Sequence, residues 1–146
     1  MISKASFSKN SEGLIKPYGG ELINLMASEK EAEELKKGSF KILNCSDRNA
    51  CDIELLIIGA FSPLKGFMGE SNYNSVVRNN RIESDLLFGL PIVMDTDKDD
   101  INPGDSVLLK YNDQDLAILK VEEKWEPDKI IEAKSCYGTT SLEHPA

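Results

Sequence analysis

Between residues 59 and 69 the chain reads Gly59-Ala60-Phe61-Ser62-Pro63-Leu64-Lys65-Gly66-Phe67-Met68-Gly69, and the rest of the sequence is best understood outward from this run. Its three glycines and one proline rule out a continuing helix or a central strand, because glycine costs backbone entropy and proline lacks an amide donor. The same run carries Phe61, Leu64, Phe67 and Met68, which cost free energy if left in water. A segment both turn-rich and apolar is expected to pack against something. Two catalytic readings fail. A phosphate-cradling loop needs Lys-Ser or Lys-Thr after its glycines, and here Gly66 and Phe67 follow Lys65. A nucleophile elbow needs Gly-x-Ser-x-Gly, whereas Ser62 lies between Phe61 and Pro63. Gly59, Phe61, Ser62, Pro63, Leu64, Gly66, Phe67 and Met68 are therefore assigned to packing, either internal or against another domain.

The run is fed by an apolar segment, Ile53 to Ile58, that reads as a helix capped by Asp52 and closed by Gly59. Because it is apolar nearly all round, burial on every side is expected. After the run, a helix starting at Ser71 or Asn72 brings Tyr73, Val76 and Val77 to one side. Upstream, Leu14 to Met26 reads as two short extended pieces around the Pro17-Tyr18-Gly19-Gly20 turn. Ser28 and Glu31 have capping-box spacing for a surface helix ending at Gly38, with Ala32 and Leu35 as its inward side chains. Phe40 to Leu43 is a short strand candidate. Downstream, Leu90 to Met94 reads as extended, with Pro91 favouring a strand start or edge. Val107, Leu109 and Tyr111 alternate with neighbouring residues, as do Ala117, Leu119, Val121 and Trp125 beyond Asn112-Asp113, which predicts a hairpin. Pro127 opens a last helix expected to turn Ile130, Ile131 and Ala133 inward. Short strands and small helices without regular strand–helix alternation predict an α+β fold, a small partly closed β-barrel decorated with short helices. Residues 1–13 lack periodicity and are expected to be mobile.

At 146 residues the chain is one domain, and 40% hydrophobic content suffices for a core. A net charge of −8 argues against nucleic acid and anionic membranes as partners. No apolar run approaches a membrane span, and no signal-peptide centre precedes the domain, so a cytoplasmic protein is expected. Cys45, Cys51 and Cys136 form no Cys-x-x-Cys pair, and with His144 as the single histidine they do not make a zinc site; three reduced, at least partly buried thiols are expected. Asp95-Thr96-Asp97-Lys98-Asp99-Asp100 begins like a calcium loop but has Asp100 and Ser106 where glycine and glutamate belong, so it reads as a solvated turn. Asp47-Arg48-Asn49 could hold an anion, but capping and a local ion pair explain it. A general base at His144, close to the chain end, would be poorly positioned.

Several blocks, in order, resemble the N-terminal region of ATP sulfurylase (sulfate adenylyltransferase). They are Lys16 to Leu22, Cys51 to Met68, Gly89 to Thr96, Gly104 to Leu109, Leu116 to Lys129 and Tyr137 to Pro145. The resemblance implies that residues 14–146 form the family's PUA-like N-terminal domain. It departs from the family at Phe88, where tryptophan is common, and at Asn112-Asp113-Gln114, which lacks the usual hairpin glycine. The family's catalytic Gln-x-Arg-Asn and His-x-x-His motifs cannot both be present in a chain with one histidine. The resemblance thus implies a non-catalytic domain, with no catalytic, cofactor or metal residue of its own, that packs against a catalytic domain lying beyond Ala146. The parent enzyme would use ATP with magnesium and sulfate, and could form a homo-oligomer. The competing readings are an RNA-binding PUA-like module, which the charge opposes, and a free-standing protein-interaction domain.

Overall fold

The computed structural model describes residues 13–144, so the expected mobile segment falls, but for Gly13, outside the described residues. The order of elements is α1 (Glu29–Leu35), β1 (Lys41–Asn44), α2 (Asp47–Ile57), α3 (Glu70–Asn79), β2 (Ser106–Tyr111), β3 (Gln114–Lys120), α4 (Lys129–Glu132) and a π-helical turn at Ala133–Tyr137. The fold is α+β, with an open three-stranded sheet in the order β1-β2-β3. It divides into two compact units. The first comprises the described residues up to Gly66 with Ser106–Leu119, and the second Phe67–Asp105 with the residues from Lys120 onward.

In the first unit, β1 pairs parallel with β2, Leu43 facing Leu109 in register. The alternation in β2 buries Val107 and Leu109 and leaves their neighbours half-exposed, as a period-two strand with one covered face must. The hairpin forms as expected. Its two turn residues, Asn112 and Asp113, both adopt positive φ, 47° and 62°, and these two residue types tolerate the left-handed region better than other non-glycine residues. The second strand ends at Lys120 rather than running on to Trp125, although Gly104 and Asp105 still exchange backbone hydrogen bonds with Val121 at 2.8 and 2.9 Å.

The expected capping box is present at α1, where Ser28 and Glu31 bond reciprocally, and the helix has no buried residue. Helix α2 corrects the sequence reading twice. It starts six residues earlier than a cap at Asp52 would allow, because Ser46 and Asn49 make a capping box, placing Asp52 inside the helix. Nor is it buried all round: Ala50, Ile53 and Leu56 face the core while Leu55 and Ile58 are exposed. In the second unit, α3 buries Tyr73, Val76 and Val77 as expected, and Met68, Ile82 and Ile101 are also buried. Residues 90–94 belong to no strand, although the Ile92 carbonyl accepts the Met68 amide. Ile130 and Ile131 do not turn inward but stand 63% and 41% exposed, because α4 is a single turn, capped by Asp128, that passes directly into the wider π-helical turn.

Candidate functional site

Helix α2 ends in a closure that only a residue free to take positive φ can make. Gly59 sits at φ +82°, its amide donates to the Leu56 carbonyl at 3.2 Å, and the Ala60 amide donates to Leu55 at 2.9 Å. These are the paired bonds of a Schellman cap. Glycine is required here on a second ground: a Cβ at position 59 would overlap the Ile23 carbonyl oxygen, with Leu22 Cδ1 only 3.0 Å away. Three residues on, the buried Ser62 hydroxyl donates to the Gly59 carbonyl at 2.6 Å and accepts the Ile23 amide at 2.9 Å. With the bond from the Leu25 amide to the Ile57 carbonyl, 2.9 Å, it fastens the segment around Ile23 to the end of α2. The Ser62–Pro63 peptide is cis, and the Pro63 ring lies so close to Gly19 that a Cβ there would come within 2.9 Å of it. Leu64 is buried, Phe61, Pro63 and Gly66 are half-buried, and Lys65 is exposed.

The remainder of the run belongs to the second unit. The Met68 amide donates to the Ile92 carbonyl at 2.8 Å, its side chain is buried, and Phe67 is half-buried. Gly69 caps α3 without a side chain, and Glu123, distant in sequence, replaces it: its Oε1 accepts the Glu70 amide at 2.9 Å. That carboxylate fills the place a Cβ on Gly69 would take. A carboxylate here also meets the positive end of the helix dipole.

The Ser62 hydroxyl of the run is thus committed to the backbone. Ser62 uses both its proton and a lone pair on main-chain groups, so the arrangement closes a helix and packs a loop. Elsewhere, Asp47 accepts the Tyr111 hydroxyl at 3.1 Å and Asn49 bonds reciprocally with Ser46, so two members of the 47–49 cluster serve helix capping and its anchorage. The charge of Arg48 acts on Asp52, whose carboxyl is nonetheless raised above its ordinary pKa because burial outweighs it. Burial pushes the Cys45 and Cys136 thiols up, which keeps them protonated and poorly nucleophilic near neutrality. The expectation of burial fails for Cys51, which is exposed. Among the described residues no three His, Cys, Asp or Glu side chains are grouped to hold a metal ion, and no helix is long and apolar enough to cross a membrane. The acidic residues at 95, 97, 99 and 100 are exposed.

One polar arrangement was not visible in the sequence. Tyr73, 2% exposed, donates its hydroxyl to Glu132 at 2.6 Å and packs its ring 4.4 Å from that of Trp125. Burial, then the Glu132 carboxylate, hold the phenol well above its ordinary pKa. The apolar spacing of Tyr73, Val76 and Val77 announced a core face, but nothing in it pointed to an acid 59 residues away.

With this geometry described, comparison with known proteins defines the class of the chain. The chain belongs to the PUA-like domain family, whose model matches residues 15–146. Within the matched region it is similar to sulfate adenylyltransferases: 43% identical over 140 residues to that of Chaetomium globosum, covering 89% of this chain and 24% of the relative. It is 37% identical over 137 residues to that of Ruthia magnifica, covering 90% of this chain and 34% of the relative. Among solved structures it resembles the hexameric APS kinase from Thiobacillus denitrificans, with a TM-score of 0.69 and 31% identity over 80% of this chain and 24% of that one. The chain therefore spans between about a quarter and a third of the length of these proteins.

Proposed function

We propose that this chain is the non-catalytic N-terminal domain of a sulfate adenylyltransferase and acts by packing against the catalytic domain of that enzyme. In the proposed reaction a sulfate oxygen attacks the α-phosphorus of ATP, the bond to the β-phosphate breaks, and adenosine 5′-phosphosulfate and pyrophosphate result. Magnesium, ATP and sulfate would bind the catalytic domain, the whole enzyme could assemble as a homo-oligomer, and it would work in the cytoplasm. The observation that carries this reading is the similarity to sulfate adenylyltransferases along nearly 90% of this chain but only about a quarter of theirs. The geometry supports it: the residues that carry the family resemblance close a helix and fill two cores.

The test is sulfate-dependent pyrophosphate release and ATP–pyrophosphate exchange with the purified 146-residue protein. Both are expected at the level of a protein-free blank. Turnover clearly above that blank would overturn the reading.

A further inference from the structure

Resting on the accessory-domain reading, we infer that the docking face for the catalytic domain is not the Gly59–Gly69 run but the segment before α1 together with the end of α2. The run's own large apolar side chains are buried or half-buried. Among the exposed ones, Leu22, Leu25 and Met26 precede α1 and Ile58 ends α2, with Leu25 42% and Ile58 56% exposed. Leu22, Leu25 and Ile58 are one neighbourhood: the Leu25 amide bonds the Ile57 carbonyl, next to Ile58, and Leu22 lies against Gly59. Leu25, Met26 and Leu35 line a common groove, whose α1 side also carries Lys30, Glu31 and Glu34. An apolar patch of this kind marks an interaction site.

Two features identify the occupant. Lys16 and Glu21 are the only charged residues from Leu14 to Ala27 and cancel each other, in a chain that is 29% charged. Charge depletion of this sort characterises the centre of an interface rather than a solvated surface. A second copy of the chain is disfavoured, because each copy brings a net charge of −8 to the encounter. The remainder of the enzyme is the partner for which the family supplies both the length and the tether: in the Chaetomium globosum relative the matched region is only 24% of the protein. The backbone bonds at Ile23 and Leu25 hold the patch in place before docking, so little ordering entropy opposes association.

The test exchanges this chain for the matched segment of the Ruthia magnifica relative, which is 34% of that protein. The resulting hybrid is compared with one carrying Leu25→Glu and Ile58→Glu, and with one carrying Ile131→Glu, a similarly exposed position elsewhere. The paired change is expected to lower the hybrid's unfolding midpoint by about 4 °C or more and to speed proteolytic separation of this segment from the remainder. The same pair in the isolated 146-residue chain is expected to move its midpoint by less than about 2 °C, and Ile131→Glu to leave the hybrid unaltered. A hybrid indifferent to the paired change, an equal response to Ile131→Glu, or a matching loss in the isolated chain overturns the inference while leaving the accessory-domain reading intact. An unsubstituted hybrid that neither turns over ATP and sulfate nor unfolds with the remainder overturns that reading, and the inference with it. If the isolated chain sediments as a dimer that the pair dissociates, the occupant is a second copy and the inference fails.

Discussion

Replacing Gly59 by alanine separates two costs that the structure places at one position. The first is conformational. At φ +82° an L-residue with a Cβ meets its own backbone, at a cost of about 1–2 kcal/mol. The second is steric and non-local: the new methyl would overlap the Ile23 carbonyl oxygen, a main-chain atom that cannot rotate away. Relief requires the segment around Ile23 to move off α2, and that endangers the bonds from the Ile23 amide to Ser62 and from the Leu25 amide to Ile57. At about 0.5–1.5 kcal/mol each, their loss adds about 1–3 kcal/mol, for a total of about 2–5 kcal/mol. Measured against a typical stability of about 5–15 kcal/mol, this is a large fraction.

Gly20 supplies the internal control. It sits at φ +93° in the same unit, but a Cβ there would meet nothing within 4 Å, so Gly20→Ala carries the conformational cost alone. Urea unfolding followed by circular dichroism should show Gly59→Ala losing about 1 M or more of midpoint beyond Gly20→Ala. Amide exchange at Ile23 and Leu25 should accelerate only in Gly59→Ala. Equal midpoints for the two variants, with unchanged exchange at those amides, would refute the claim that glycine is demanded by the approach of the Ile23 carbonyl.

Glu123→Ala removes the carboxylate that caps α3 and should cost about 0.5–2 kcal/mol, with faster exchange at the Glu70 amide as the local check. Asp113→Gly should stabilise the hairpin by up to about 1 kcal/mol in chemical unfolding, since Asp113 holds φ 62° and glycine takes that region freely. For Tyr73, whose folded pKa is raised, the contribution to stability is complete below the ordinary phenol pKa of about 10 and is lost as pH rises through the folded value. Ultraviolet titration of the four tyrosines should therefore show one ionising last, together with unfolding, and Tyr73→Phe should abolish that step.

What could be read from the sequence followed the range of the interactions involved. The Ser28–Glu31 box, the Asn112-Asp113 turn and the Tyr73, Val76, Val77 face are set within a few residues, and each formed. The cap of α2 was equally local but was missed, because Ser46 is answered three residues later by asparagine instead of the glutamate or glutamine that marks a capping box. Apolar composition misled at Ile53–Ile58 and at Ile130–Ile131: it reports what a side chain prefers, not whether another element arrives to cover it. The parallel pairing of β1 with β2, the reach of Glu123 to α3 and the bond between Tyr73 and Glu132 join residues at least 53 positions apart, beyond any local pattern.

The candidate site was legible in its identity and only partly in its role. The Gly59–Gly69 run reads as packing, internal or external; Ser62 is consumed by two main-chain groups and Leu64 and Met68 are buried, while Phe61, Pro63 and Phe67 are half-buried. Residues that close a helix against a neighbouring strand of chain are constrained by the fold itself, so their match to sulfate adenylyltransferases identifies an architecture without locating a reaction. A surface that meets another domain obeys a weaker rule, needing apolar area, few charges and a fixed backbone. The chain satisfies those three conditions together at Leu22, Leu25, Met26 and Ile58, where the sequence alone showed only a turn between two short extended pieces.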